Sequence, residues 1–214
     1  AFAAANGMAL LGHVLVWYAQ APDAFERLDE NRVSFEQAYR NYILAVAGRY
    51  RGKVVGWDVV NEAVAEDGDG WRTSLWSRRL GDFEHIALAF RTAREADPGA
   101  TLLLNDYNLE YMPRKRATFL KLAERLLASG APLTGIGTQM HVAADIRPGE
   151  ITTMMKDLAS LGLPIHLSEL DVSLTRSDNK LLGRAELERR QARTYGEAAE
   201  AFMALPQRQR FAFT

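Results

Sequence analysis

Residues 53–63 read KVVGWDVVNEA. A Val-rich run over 53–60 has the length and composition of a strand buried on both faces, and it ends in an amide and a carboxylate, Asn61 and Glu62. Outward from this stretch the pattern recurs. Further strands are expected at 10–17 (LLGHVLVW), 101–105 (TLLLN), 133–139 (LTGIGTQ), 163–169 (LPIHLSE) and 210–214 (RFAFT), and a stretch of helical period follows every strand but the last. This alternation defines an α/β chain built on a parallel sheet.

The first helix is expected to open at Ser34, with Gln37 completing a capping box, and to carry Phe35, Tyr39, Tyr42, Ile43 and Val46 toward the sheet. A second runs from about 82 to 97 and stops at Pro98-Gly99. A third starts at Pro113 and ends at Gly130, a fourth spans 148–161 before Gly162, and a fifth spans 184–205 before Pro206. Periodicity alone leaves a closed barrel and an open doubly wound sheet equally possible. The polar strand ends decide between them. His13/Trp17, Asn61/Glu62, Asn105/Tyr107, Gln139/His141 and Glu169/Asp171 lie at the C-terminal ends of five successive strands. They converge on one site only if the sheet curls, as in a (β/α)8 TIM barrel.

The 214 residues suit one domain, 1–214, and a hydrophobic share of 48% excludes extended disorder. A net charge of -1 gives no global attraction to nucleic acid or to an anionic membrane, and no apolar run is long enough to span a bilayer. A neutral partner is expected. With no cysteine, thiol nucleophiles and sulfur-ligated zinc are excluded; no phosphate loop, dinucleotide fingerprint or HExxH points to a cofactor or metal. The basic residues at 114–116 and 189–193 read as solvated helix faces.

Glu62 and Glu169, each ending a strand, place two carboxylates at the mouth of such a barrel, which is what glycoside hydrolysis needs. Taken singly, either could equally pair with an arginine or cap a helix. Gln139 and His141, two apart, should share an inward face; so should His13, Leu15 and Trp17. Asp58, inward by parity with Val60 and Glu62, is then a buried partner for His13. His85, on a surface helix, and His166, pointing away from Glu169, read as structural.

GHVLVWYAQAP (12–22), WDVVNEA (57–63), LLLNDYN (102–108), GIGTQMH (135–141) and HLSELDV (166–172) stand in the order and spacing of the family-ten glycoside hydrolases, which the chain resembles over essentially its whole length. The resemblance implies retaining endo-β-1,4-xylanase activity on xylan, with Glu62 as acid/base and Glu169 as nucleophile. It implies that Asn61 bonds the sugar 2-hydroxyl, that His141 holds the nucleophile carboxylate, that Asp171 orients that imidazole, and that His13 and Trp17 line the −1 subsite. Gln20 and Tyr107 are further candidate sugar contacts. A secreted or periplasmic location is implied too, although no signal peptide is visible in 1–18.

Two substitutions depart from the family pattern: Tyr18 stands where the family has His, removing a titratable ring expected near Glu169, and Ser168 stands for Thr. The match begins before the third barrel strand and stops inside the eighth. The expectation is an incomplete barrel, with 10–17 and 210–214 at open edges, completed by a further segment or another copy and inactive without it. Two alternatives stand beside the xylanase: another retaining β-1,4-glycanase acting on glucan or mannan, and a non-catalytic carbohydrate-binding fragment.

Overall fold

The computed structural model describes residues 2–28, 31–176 and 182–214. Six parallel strands, β1 (Leu11–Trp17), β2 (Gly56–Asn61), β3 (Thr101–Tyr107), β4 (Gly135–Ala143), β5 (Ile165–Ser173) and β6 (Arg210–Phe213), pair in strict chain order. Between them run α1 (Arg32–Arg49), α2 (Leu75–Leu80), α3 (Glu84–Ala96), α4 (Pro113–Ala128), α5 (Glu150–Ala159) and α6 (Arg184–Met203). A doubly wound sheet reverses its strand order at a switch point. This one never reverses.

The sheet also curls. A Cβ placed on Gly56 of β2 would come 3.0 Å from the Phe211 ring of β6, four places along the strand order. In a flat sheet those strands would stand about 19 Å apart, at roughly 4.8 Å per strand. Only a strongly curved sheet brings them together, so the chain is an arc of a (β/α)8 barrel with β1 and β6 at its ends.

Helix α1 buries Phe35, Tyr39, Ile43 and Ala47, a stripe with a four-residue step. Its cap is Asn31 and not the expected Ser34: the Asn31 amide oxygen accepts from the backbone N–H of Val33 (2.9 Å) and Ser34 (3.2 Å), satisfying two orphan donors at once, while Gln37 bonds Asn41 instead of reaching back. The expected 82–97 helix begins at Glu84. The short α2 before it was not anticipated; Ser74 and Ser77 form its capping box. The end of α4 is as expected: Gly130, at φ 73°, donates to Leu127, and Ala131 to Leu126, the two bonds of a Schellman turn.

Strict alternation fails where the register shifts. Between Asp58 and Val60 the pairing of β2 with β3 slips, so Val59 and Val60 are both buried in the apolar core, while Asp58 and Asn61, three apart, both turn to polar partners. Parity with Val60 is therefore not what aims Asp58. A similar slip in β1 buries Leu15 and Val16 together and removes Leu15 from the expected set with His13 and Trp17. His166 is corrected as well. It pairs with Gly137, where a Cβ would strike the Asn105 side chain, and its ring packs on Phe211, so it faces the barrel interior.

Candidate active site

Glu62 follows β2 with φ 58°, a left-handed conformation uncommon for a residue with a side chain. Its N–H donates to the Asn105 carbonyl (2.8 Å) and its carbonyl accepts from Arg72 Nε (3.0 Å), so both main-chain polar groups are tied. The carboxylate, 7% exposed, accepts at Oε1 from Asn61 Nδ2 (3.0 Å) and Gln139 Nε2 (3.1 Å). Asn61 is held in turn: its Oδ1 accepts from Asn105 (2.9 Å) and Gln139 (3.0 Å). β2, β3 and β4 thus meet at one amide.

Glu169 has φ 56° and lies within β5 where its pairing with β4 slips. His141 Nε2 lies 3.1 Å from Glu169 Oε2, and His141 Nδ1 lies 2.6 Å from Asp171 Oδ2. With both carboxylates ionised, each ring nitrogen must donate, which requires imidazolium. Burial works against that charge, but the bonds to Asp171 and Glu169 outweigh it and hold the His141 pKa above its ordinary value. Gln139 and His141 are two residues apart on β4, so this single strand contacts both carboxylates: Gln139 reaches Glu62 and His141 reaches Glu169.

The remaining expected site residues divide into those the fold gathers and one it does not. His13 Nδ1 meets buried Asp58 at 2.9 Å, and that bond raises the His13 pKa against partial burial, with Glu169 and Glu62 adding smaller contributions. Trp17 is half-buried beside Tyr18 and accepts at its carbonyl from Trp76 Nε1. Tyr107 donates to Glu66, accepts from Arg72 (3.2 Å) and has the Lys115 ammonium 3.5 Å from its ring centre. Gln20 is exposed after β1, and among the described residues no hydrogen bond joins it to this cluster. Tyr18 lies against Arg72 in the lining it shares with Glu62.

Several residues here escaped the sequence. Asn105 was visible as a polar strand end, yet its bridge to Asn61 was not. Arg72, Glu66 and Lys115 lie in a loop and a helix with no motif to single them out, and Asp106, though inside LLLNDYN, was given no role. Asp106 and Lys115 are fully buried and 3.0 Å apart; burial pushes the Asp106 carboxyl up to about 6. Beyond His141 a cleft of about 430 Å³ opens, lined by Asn108, Tyr111, Arg147, Glu150 and Arg176 among others. Among the described residues no group of three or more acidic or imidazole side chains is arranged to hold a metal ion.

Comparison with known proteins agrees with this fold. A chain titled "Endo-1,4-beta-xylanase C" from Paenibacillus barcinonensis is 42% identical over 194 residues, covering 81% of this chain and 18% of its own length. "Endo-1,4-beta-xylanase" from Geobacillus stearothermophilus is 39% identical over 202 residues, 89% of this chain and 60% of its own. This chain therefore spans less than two thirds of either relative. The solved structure of a thermostable mutant of a xylanase from Cellvibrio japonicus superposes with a TM-score of 0.89 at 34% identity, covering 100% of this chain and 68% of that one. The model of glycosyl hydrolase family 10 matches residues 1–213, and the chain belongs to that family.

Proposed function

We propose that the protein carrying this chain is a retaining endo-β-1,4-xylanase, with residues 1–214 part of its single catalytic barrel domain. The observation that supports this best is the double reach of β4, whose Gln139 and His141 tie Glu62 and Glu169 to one strand. In the first step Glu62, as the carboxylic acid, gives its proton to the glycosidic oxygen while the Glu169 carboxylate attacks C1; the C1–O bond breaks and a glycosyl ester forms on Glu169. In the second, Glu62 as carboxylate takes a proton from water, the oxygen attacks C1 and Glu169 leaves. Two inversions give net retention. Asn61 keeps a second amide hydrogen for the sugar 2-hydroxyl, and His13 and Trp17 line the same face of the site, with Tyr107 and Gln20 as outer sugar contacts. Asp171 and Asp58 orient His141 and His13.

Xylan is a polymer too large to enter a cell, so action in a secreted or periplasmic compartment follows from the substrate. The test is hydrolysis of xylan, glucan and mannan by the full-length protein, with the anomeric proton of the first-formed product followed by NMR. Xylan cleavage releasing the β-anomer is expected. Release of the α-anomer overturns the retaining mechanism, and preference for glucan or mannan overturns the substrate. Binding without turnover would mark a carbohydrate-binding module instead.

A further inference from the structure

The loop after Glu62 returns on itself: Val64 bridges Trp71 antiparallel, Ala65 N donates to Gly70 O (3.1 Å), and Arg72 N donates to Ala63 O (2.7 Å). That return puts the Arg72 side chain, 15% exposed, directly against the turn that carries Glu62. Besides an ion pair with Glu66 (Nη2 to Oε2, 3.5 Å), one guanidinium makes three further contacts. Its Nε donates to the Glu62 carbonyl at 3.0 Å, its Nη2 donates to the Tyr107 hydroxyl at 3.2 Å, and its centre lies 4.2 Å from the centre of the Tyr18 ring. A planar, multiply donating cation can do all three together; an ammonium cannot.

We propose that Arg72 is the positioning residue for proton delivery by Glu62, a reading that rests on Glu62 being the acid/base. The Glu62 peptide has a positive φ, so a small rotation of that peptide swings the carboxyl off the line to the glycosidic oxygen. Asn105 holds the peptide before the Glu62 Cα at its N–H, and Arg72 holds the peptide after it at its carbonyl. Arg72 itself is braced by the Tyr18 ring after β1, by the Tyr107 hydroxyl at the end of β3 and by the Glu66 carboxylate, and together these set the direction of one proton. Arg72 touches no reacting atom in this arrangement.

The role predicts a dependence on leaving group. A glycoside with a 2,4-dinitrophenyl leaving group departs without protonation, whereas xylan needs the acid. In the full-length protein, Arg72→Ala should lower kcat/KM on xylan by about 10- to 100-fold, a fraction of the roughly 10²–10⁴ that general acid catalysis supplies, while 2,4-dinitrophenyl β-xylobioside loses less than about threefold. Turnover of the activated substrate also reports that the variant is folded. Arg72→Lys keeps a cation over Tyr18 but not the three-way contact, and should show the same asymmetry at a smaller size; it carries the test if the alanine variant does not fold. Equal losses on both substrates, or none on xylan, overturn the proposal. Wild-type protein that fails to cleave xylan at all instead overturns the assigned reaction.

Discussion

Glu62, just past the end of β2, and Glu169, within β5, have nearly the same backbone, φ 58° and 56°, yet within this arc the first is enclosed and the second lies one strand from the open end. Glu62 is 7% exposed and held by two neutral amides, with its main chain bonded on both sides. The Glu169 side chain is 37% exposed and is met by one imidazole, itself held by Asp171. The left-handed backbone answers a shared need, to turn a carboxyl out of the strand's alternation, just past the end of β2 for Glu62 and at the register slip within β5 for Glu169. The surroundings answer different needs. A group that must deliver and recover a proton along one direction is fixed by packing and by donors that carry no charge. A group that attacks carbon is met by a cation at one edge, and its exposure here belongs to its place on β5, one strand from the open end of the arc.

The largest effects should separate these two roles. Glu169→Gln removes the attacking atom and should cut kcat/KM on xylan and on dinitrophenyl xylobioside alike, on the order of 10⁴-fold or more, whereas Glu62→Gln should cut kcat/KM only on xylan, the activated substrate keeping its first step and slowing in the second, where the base is lost. Parallel kinetics on the two substrates check this; equal collapse for Glu62→Gln would erase the distinction.

Next in size is the buried foundation on the Glu62 side. Asp106, fully buried, accepts from Val64 N (3.1 Å) and pairs with Lys115, whose ammonium also underlies Tyr107. Lys115→Met strands Asp106 and should destabilise the protein by about 3–5 kcal/mol at pH 7. The sign with pH follows from a carboxyl pushed up by burial, from 3.8 to about 6: its proton-bound form favours the fold fully below about 3.8, and that contribution is lost as pH rises through about 6. The deficit of Lys115→Met should therefore shrink on going from pH 7 to pH 5. Denaturant unfolding at the two values measures it, and a pH-independent deficit would show that the lost packing dominates.

On the Glu169 side the corresponding element is exposed and smaller in effect. His141 has a pKa raised by Asp171 and Glu169 against its burial, so its contribution is full below about 6.5 and is lost as pH rises through the folded value. Asp171→Asn should lower that value and reduce kcat/KM about tenfold, most at the alkaline end, because the imidazole then gives up its second proton sooner. Titration of the ring nitrogens by NMR tests it; an unmoved His141 would assign the shift to Glu169 alone.

The chain's architecture was legible because it depends on period and on polar strand ends. All six strands lie where the sequence places them, within a few residues at either end, and both carboxylates mark the ends of apolar runs. Three things were not legible. Register slips at Asp58/Val60 and Gln139/His141 break the parity on which facing was judged, which is why Val60 and His166 were oriented wrongly. The positive φ at Glu62 and Glu169 leaves no mark in composition, since neither is glycine. Arg72 and Lys115 act through long side chains that cross from loop and helix to a strand end, and such reach depends on tertiary placement alone. Tyr18 shows the same limit: the family pattern gave the position a ring near Glu169, and its contact with Arg72 left no mark in the sequence.

That placement gives the smallest predicted effect. Tyr18→His puts a titratable ring against Arg72, where protonation sets two like charges about 4 Å apart, roughly 1 kcal/mol in water. The introduced imidazole should titrate below about 6.5, and xylan turnover should fall up to about fivefold only on the acid side of the profile, where the charged ring displaces Arg72. Loss confined to the alkaline side would return Tyr18 to the neighbourhood of Glu169.

The pairing of an enclosed acid with an open nucleophile is tested most directly by trapping the intermediate. Full-length protein treated with a 2-fluoro xylobioside bearing a dinitrophenyl leaving group should gain one fluoroglycosyl unit, and peptide mass spectrometry should locate it on Glu169, with Glu62→Gln still labelled. Label on Glu62, label on any other residue, or inactivation with no covalent mass added would contradict the account.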